Sequence, residues 1–200
     1  LGAHLDRIDQ GQGVTDNAAG TAVVLELARR FQRQSLAHHR VAVAFWDLEE
    51  KGLLGARAYI ANGGERPALY VNFDVFGWGD TLWMMRPAAE GDSLLVAALR
   101  AASQHEKLGF SPGDQYPPTD HLAFLKAGWP AVSFSLVGGE EIAGILQVFA
   151  GQKPEPAPKV MRVIHSPGDD TGQLDPGNIA AALRALEDGL RAWDAAPAAR

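Results

Sequence analysis

Val41-Ala42-Val43-Ala44-Phe45-Trp46-Asp47-Leu48-Glu49-Glu50-Lys51-Gly52 is the stretch on which the reading of the fold turns. Residues 41–46 are apolar, rich in β-branched and aromatic types and bounded by polar residues, which predicts a short buried strand. The strand ends in acid, and Gly52 lets the chain turn into a helix over residues 53–61. Two adjacent carboxylates at the end of a buried strand are costly unless they bind something. Neighbouring side chains on extended backbone point opposite ways, so the pair cannot serve one small point as equals. A division of labour follows: one carboxylate holds a cation, and the other moves a proton beside it. Taken alone, the same stretch also reads as a solvated acidic loop.

Working outward, residues 68–73 form a second apolar strand that also ends in acid, at Asp74, before a turn over 75–80 and a short strand over 81–85. Two consecutive core strands ending in carboxylates imply a common edge, and sites in open α/β sheets form beyond the carboxyl ends of the strands. Upstream, residues 1–3 read as the tail of a strand leading into His4-Leu5-Asp6, where His and Asp share one face of an extended chain. Such a pair lets an imidazole hold a metal while its neighbour orients something nearby. A polar loop over 7–13 precedes Val14-Thr15-Asp16-Asn17-Ala18-Ala19-Gly20 and a helix to about residue 33, with Val23, Leu27 and Phe31 on one side. Asp16 has two readings: a plain N-cap, or a group approached closely by backbone and ligand, for which the small residues at 18–20 leave room.

The remaining chain continues the alternation. A helix spans 91–105, with His105 on the solvated surface; Thr119 caps a helix over 120–127; a strand spans 131–136 and a helix 140–150. A proline-bearing connector over 151–158 leads to a strand over 160–164 ending at His165. Asp175 and Pro176 open a last helix to about residue 193, and residues 195–200 are expected to fray. The class is therefore α/β: three layers, α/β/α, around a mixed, mostly parallel sheet.

The 200 residues, 46% hydrophobic, suffice for one core and hence one domain over 1–200. Net charge is −6 with no basic stripe, which argues against nucleic-acid and anionic-membrane partners. No apolar run is long enough to span a bilayer. There is no signal-like start, and a cytoplasmic and a secreted location are equally compatible. The absence of cysteine excludes disulfides and thiolate metal sites, so any metal must be held by His and carboxylate. The start at the tail of a strand, without Met, is expected to mark a processed chain or a fragment lacking its first strands. That would leave a sheet edge uncovered and His4 loosely held near a terminus.

The polar residues gathered at strand ends and loops are His4, Asp16, Glu49, Glu50, Asp74 and His165. Both imidazoles and three of the carboxylates make a nitrogen and oxygen donor set without sulfur, suited to zinc, manganese or cobalt. Asp16, Glu50 and Asp74 supply three negative charges. Two divalent ions and one bridging hydroxide would bring the site to neutrality, the arrangement that clamps a hydrolytic transition state.

Ala3-His4-Leu5-Asp6, Thr15-Asp16-Asn17-Ala18-Ala19-Gly20, Asp47-Leu48-Glu49-Glu50-Lys51-Gly52-Leu53-Leu54-Gly55, Asn72-Phe73-Asp74, Thr119-Asp120-His121 and His165-Ser166-Pro167 resemble, in order, the motifs of the di-zinc aminopeptidases. That family comprises bacterial leucine-type aminopeptidases, with glutaminyl cyclases and the transferrin receptor as relatives, and the resemblance runs to about residue 193. It implies two zinc ions, with manganese or cobalt as substitutes, and peptide substrates with a free N-terminus. It also implies roles: Asp16 bridging both metals, His4 and Asp74 completing one site, Glu50 and His165 the other. Glu49 would be the general base acting on a metal-bridging hydroxide, and Asp6 would orient His4. Asp169 would support His165, or its neighbour Asp170 if the motif is shifted by one. Tyr116 stands either near the substrate oxyanion or as a packing residue beside two prolines. Asp120 and His121 read either as site residues or as a helix start and a core histidine. Phe76, Trp78, Trp83 and Met84 either line an apolar substrate pocket or belong to the core. A single-zinc glutaminyl cyclase and a non-catalytic binding module are the rival functions.

Overall fold

A computed structural model describes residues 1–86 and 93–196. A six-stranded sheet has the order β2-β1-β3-β6-β4-β5. The strands are β1 (Gly2–His4), β2 (Ala44–Trp46), β3 (Tyr70–Phe76), β4 (Thr81–Met85), β5 (Gly109–Gly113) and β6 (Ala131–Val137). All neighbours pair in parallel except β4 with β6, so the sheet is mixed and mostly parallel. The helices are α1 (Ala19–Arg33), α2 (Leu54–Ala61), α3 (Leu94–His105), α4 (His121–Lys126), α5 (Ile142–Phe149), α6 (Lys159–Val163) and α7 (Pro176–Asp194). No helix among the described residues is long and apolar enough to cross a membrane.

The period of two along β3 sorts the layers. Val71 and Phe73 join Val23, Leu27, Leu99 and Leu186 in the main core formed with α1, α3 and α7. Tyr70 instead packs with Trp46, Ala56 and Phe124, under α2 and α4 on the other face. A third cluster joins Trp83 and Val137 to Ile145 of α5 and Val160 and Val163 of α6. Each such side chain, fully buried, contributes about 1.5–3 kcal/mol. Strands covered on both faces explain why β3 and β6 read as continuous apolar runs.

The last helix begins as its sequence signals direct, with the Asp175 carboxylate accepting from Asn178 N–H at 3.0 Å and Pro176 in the first turn. Four features differ from the sequence reading. Strand β2 is confined to Ala44–Trp46, because its register sets Gly2 opposite Ala44 and leaves residues 41–43 beyond the ladder. Strand β3 does not stop before Asp74 but runs on to Phe76 through a register shift, with Val75 at φ 55°. Strand β5, with Pro112 and two glycines, falls in a stretch to which the sequence reading assigns no element; beside β4 alone it occupies an edge, where proline is tolerated. Residues 159–163 form α6 and not a strand: Val160 and Val163, three apart, both turn into the third cluster. A run that short carries too little periodicity to separate the two forms. The start of the 91–105 helix and residues 197–200 of the fraying tail lie outside the described residues.

Candidate metal centre

His4 ends β1, which is paired on both sides, and its side chain is only 1% exposed, in contrast to a loosely held ligand. Its Nδ1 donates to the Asp6 carbonyl at 2.9 Å, which turns Nε2 toward Asp16 Oδ1 at 3.0 Å and Asp74 Oδ1 at 3.3 Å. Asp74 stands at the β3 irregularity, where a bulge re-aims a side chain. The other oxygen of Asp16, Oδ2, lies 3.0 Å from His165 Nε2, and Glu50 Oε1 lies 3.1 Å from the same nitrogen. The result is two donor triads, His4–Asp16–Asp74 and Asp16–Glu50–His165, each with its ligand atoms within 4.8 Å of one another. One carboxylate serves both.

The backbone that carries these groups is itself gripped by side chains. Asp6 Oδ1 accepts from Glu49 N–H at 3.0 Å and Oδ2 from Glu50 N–H at 3.2 Å. Asp6 therefore anchors the acidic turn with its carboxylate and orients His4 with its backbone carbonyl. That turn closes through Gly52, at φ 100°, whose N–H donates to the Glu49 carbonyl at 2.8 Å. Asp16 is no helix cap: it lies in non-helical backbone before α1, and its carboxylate faces the imidazoles. Asn17, quoted in the sequence motif but given no role there, ties this segment to β3 by donating to the Phe73 carbonyl at 2.9 Å while accepting from Gly20 N–H. A Cβ on Gly20 would lie 2.1 Å from that Asn17 oxygen, so the small residue is required by the contact. Asp169 does not hold His165; it accepts from Thr15 and from the Asp16 backbone. Its neighbour Asp170 caps its own turn at Gly172 N–H.

Ser135 Oγ donates to the Asp74 carbonyl at 2.5 Å and accepts from the Tyr116 hydroxyl at 2.5 Å. Tyr116 therefore reaches the Asp74 backbone through Ser135. It also lines, with Val75, Trp83, Ile145 and Met161, an apolar cavity that opens beside Asp74. Of the four residues named for an apolar pocket, only Trp83 lines it. Phe76 and Met84 belong to the main core, and Trp78 lies in the third cluster with its Nε1 donating to Glu141. Thr119 Oγ accepts from Asp120 N–H at 2.7 Å at the start of α4. Asp120 is fully buried with neither carboxylate oxygen bonded within the protein, and His121 Nδ1 is likewise unpartnered. Burial, then the Asp74 charge, pushes Asp120 up to about 7, and burial pulls His121 down to about 3.

The electrostatics test whether cations suit the donors. Burial opposes a charged imidazole at His4, yet the charge of Asp74 and bonds to Asp16 and Asp74 outweigh it and push His4 up to about 12. The bond to Asp16 likewise takes His165 up to about 9. Burial would raise Asp16, but both imidazoles bring it down to about 2. Burial and the Asp74 charge lift Glu49 to about 9, and burial and Asp16 lift Glu50. In the metal-free chain, protons on two imidazoles thus do the work of cations among crowded carboxylates. A set of two nitrogen and three oxygen donors under that strain fits two divalent ions.

The model of peptidase family M28 matches residues 1–188. Leucine aminopeptidase 2 of Trichophyton rubrum is 28% identical over 201 residues, covering 93% of this chain and 40% of the fungal protein. Among solved structures, BSAP, a zinc aminopeptidase from Bacillus subtilis, superposes with TM-score 0.69 at 23% identity, covering 95% of this chain and 44% of BSAP. The glutaminyl cyclase of Porphyromonas gingivalis superposes with TM-score 0.66 at 20% identity, over 95% of this chain and 68% of the cyclase. These structural likenesses establish the shared fold. The chain spans less than half the length of the fungal relative.

Proposed function

The chain belongs to peptidase family M28, and from that premise we propose that it is a zinc aminopeptidase that removes N-terminal residues from peptides. The observation that carries the reading is the Asp16 carboxylate shared between two donor triads. His4, Asp74 and Asp16 would hold one ion, and Glu50, His165 and Asp16 the other. When bound, such ions polarise the scissile carbonyl and acidify a water molecule. Glu49 belongs to neither triad, and its backbone is fixed by Asp6. It serves as the general base that takes the water's proton and passes it to the leaving amine. The surrounding carboxylates attract the protonated N-terminus of the substrate. The apolar cavity beside Asp74 takes the first side chain, so large apolar N-terminal residues are preferred.

The test is zinc titration of the metal-free chain, followed by turnover of a panel of aminoacyl p-nitroanilides and of a peptide with N-terminal glutamine. Two bound ions and faster release of leucine than of glycine or glutamate are expected. One tight ion with cyclisation of glutamine would replace this reading with the cyclase, and no uptake of metal would revive a binding module.

A further inference from the structure

Because both triads contain Asp16, whatever fixes Asp16 acts on both. No helical ladder does so, since its backbone sits at φ −123° and ψ 85°. A side chain from the far end of the sequence takes that part. Asp169 Oδ1 accepts from Thr15 N–H at 2.7 Å and from Thr15 Oγ–H, and Oδ2 accepts from Asp16 N–H at 3.3 Å. In return, Gln12 N–H donates to the Asp169 carbonyl at 3.0 Å. Thr15 is fully buried and Asp169 is 1% exposed, so these bonds are shielded from water. Asp169 also lies four residues after His165, so one buried residue straps the loop of the shared carboxylate to the loop of the exposed imidazole.

We propose that Asp169 is a positioning residue for both metal sites, holding Asp16 with one oxygen toward each imidazole. The proposal rests on the metalloaminopeptidase reading above. Removing the Asp169 carboxylate leaves buried donors of Thr15 and Asp16 without an acceptor, which the segment can relieve only by moving. Partners that orient metal ligands are typically worth about 10–100-fold in affinity.

The experiment compares Asp169→Ala, Thr15→Val and Glu50→Gln in the full chain by zinc calorimetry. Asp169→Ala is expected to weaken both sites by about 10–100-fold, with turnover recovered at saturating zinc. Thr15→Val keeps its N–H and loses only the Oγ–H bond, so both sites weaken less. Glu50→Gln weakens one site. Unchanged affinities in Asp169→Ala, or weakening confined to one site, would overturn the proposal. A second measurement needs no metal: amide hydrogen exchange in chelator. Thr15 and Asp16 amides are expected to exchange faster in Asp169→Ala while those of α7 stay protected. If Thr15 and Asp16 exchange at the wild-type rate, the strap does not exist. A wild-type chain that takes up no zinc overturns the aminopeptidase reading instead, and the exchange result then decides the strap by itself.

Discussion

The two donor triads are built by different means. The first is a product of the sheet: His4 ends β1, Asp74 rides the bulge in β3, and the parallel pairing of Gly2 with Asn72 sets their separation. The second is a product of loops. Glu50 follows an acidic turn and His165 follows α6 in left-handed backbone at φ 58°, with 44% of its side chain exposed against 1% for His4. Strand pairing locates a ligand through many backbone bonds at once, whereas a loop ligand is only as well placed as the side chains that tie its loop down. Asp6 and Asp169 are those ties. A shared Asp16 couples the rigid half of the site to the adjustable half.

The largest expected effect tests the proposed role of Glu49 as a base apart from both triads. Glu49→Gln should lower kcat by roughly 10²–10⁴-fold, the usual worth of a positioned general base, with zinc content intact. Glu50→Gln should instead lose the ion of the loop-built triad. Zinc content and turnover measured on the same preparations decide the matter: if Glu49→Gln loses metal and Glu50→Gln keeps it, the two roles are exchanged. Next in size, Asp6→Ala removes the acceptor of both the Glu49 and Glu50 amides. Zinc should bind about 10–100-fold more weakly at the loop-built triad, with a smaller loss at the sheet-built one. Equal losses in a chelator competition would mean that the two sites are not differently supported.

A separate expected effect, independent of turnover, is on the stability of the metal-free chain. His165 and His4 hold protons up to about 9 and about 12 when folded, above the ordinary 6.5. Their contribution is therefore complete below about pH 6.5 and falls as pH rises, His165's being spent by about 9 and His4's continuing toward 12. Glu49, raised to about 9, adds to the fall below that pH. Thermal unfolding in chelator should show stability decreasing from pH 6.5 to 9, and His165→Gln should flatten that decrease while leaving the part above 9. A stability that is constant or rising over this range would contradict the proton-for-cation picture.

Much of this was legible because it is local. Apolar runs closed by acid marked β2 and β3, helical spacing marked α1, and Asp175-Pro176 marked the start of α7. The five donors could be named because they are polar residues at strand ends and in loops, because cysteine is absent, and because their motifs resemble a known family in order. What stayed hidden depends on distant partners. A five-residue run at 159–163 becomes helix only because Val160 and Val163 find Trp78 and Ile145, and Gly109–Gly113 becomes strand only because β4 offers an edge. The chain order places Asp169 beside His165, yet its carboxylate bonds 154 residues away at Thr15. Sequence alone determined which atoms were available to meet a cation, through residue type and local backbone pattern. The resemblance already pointed to Asp16 as the shared carboxylate; only the tertiary structure decided what holds it there, because the Asp169 contacts join loops that no periodicity connects.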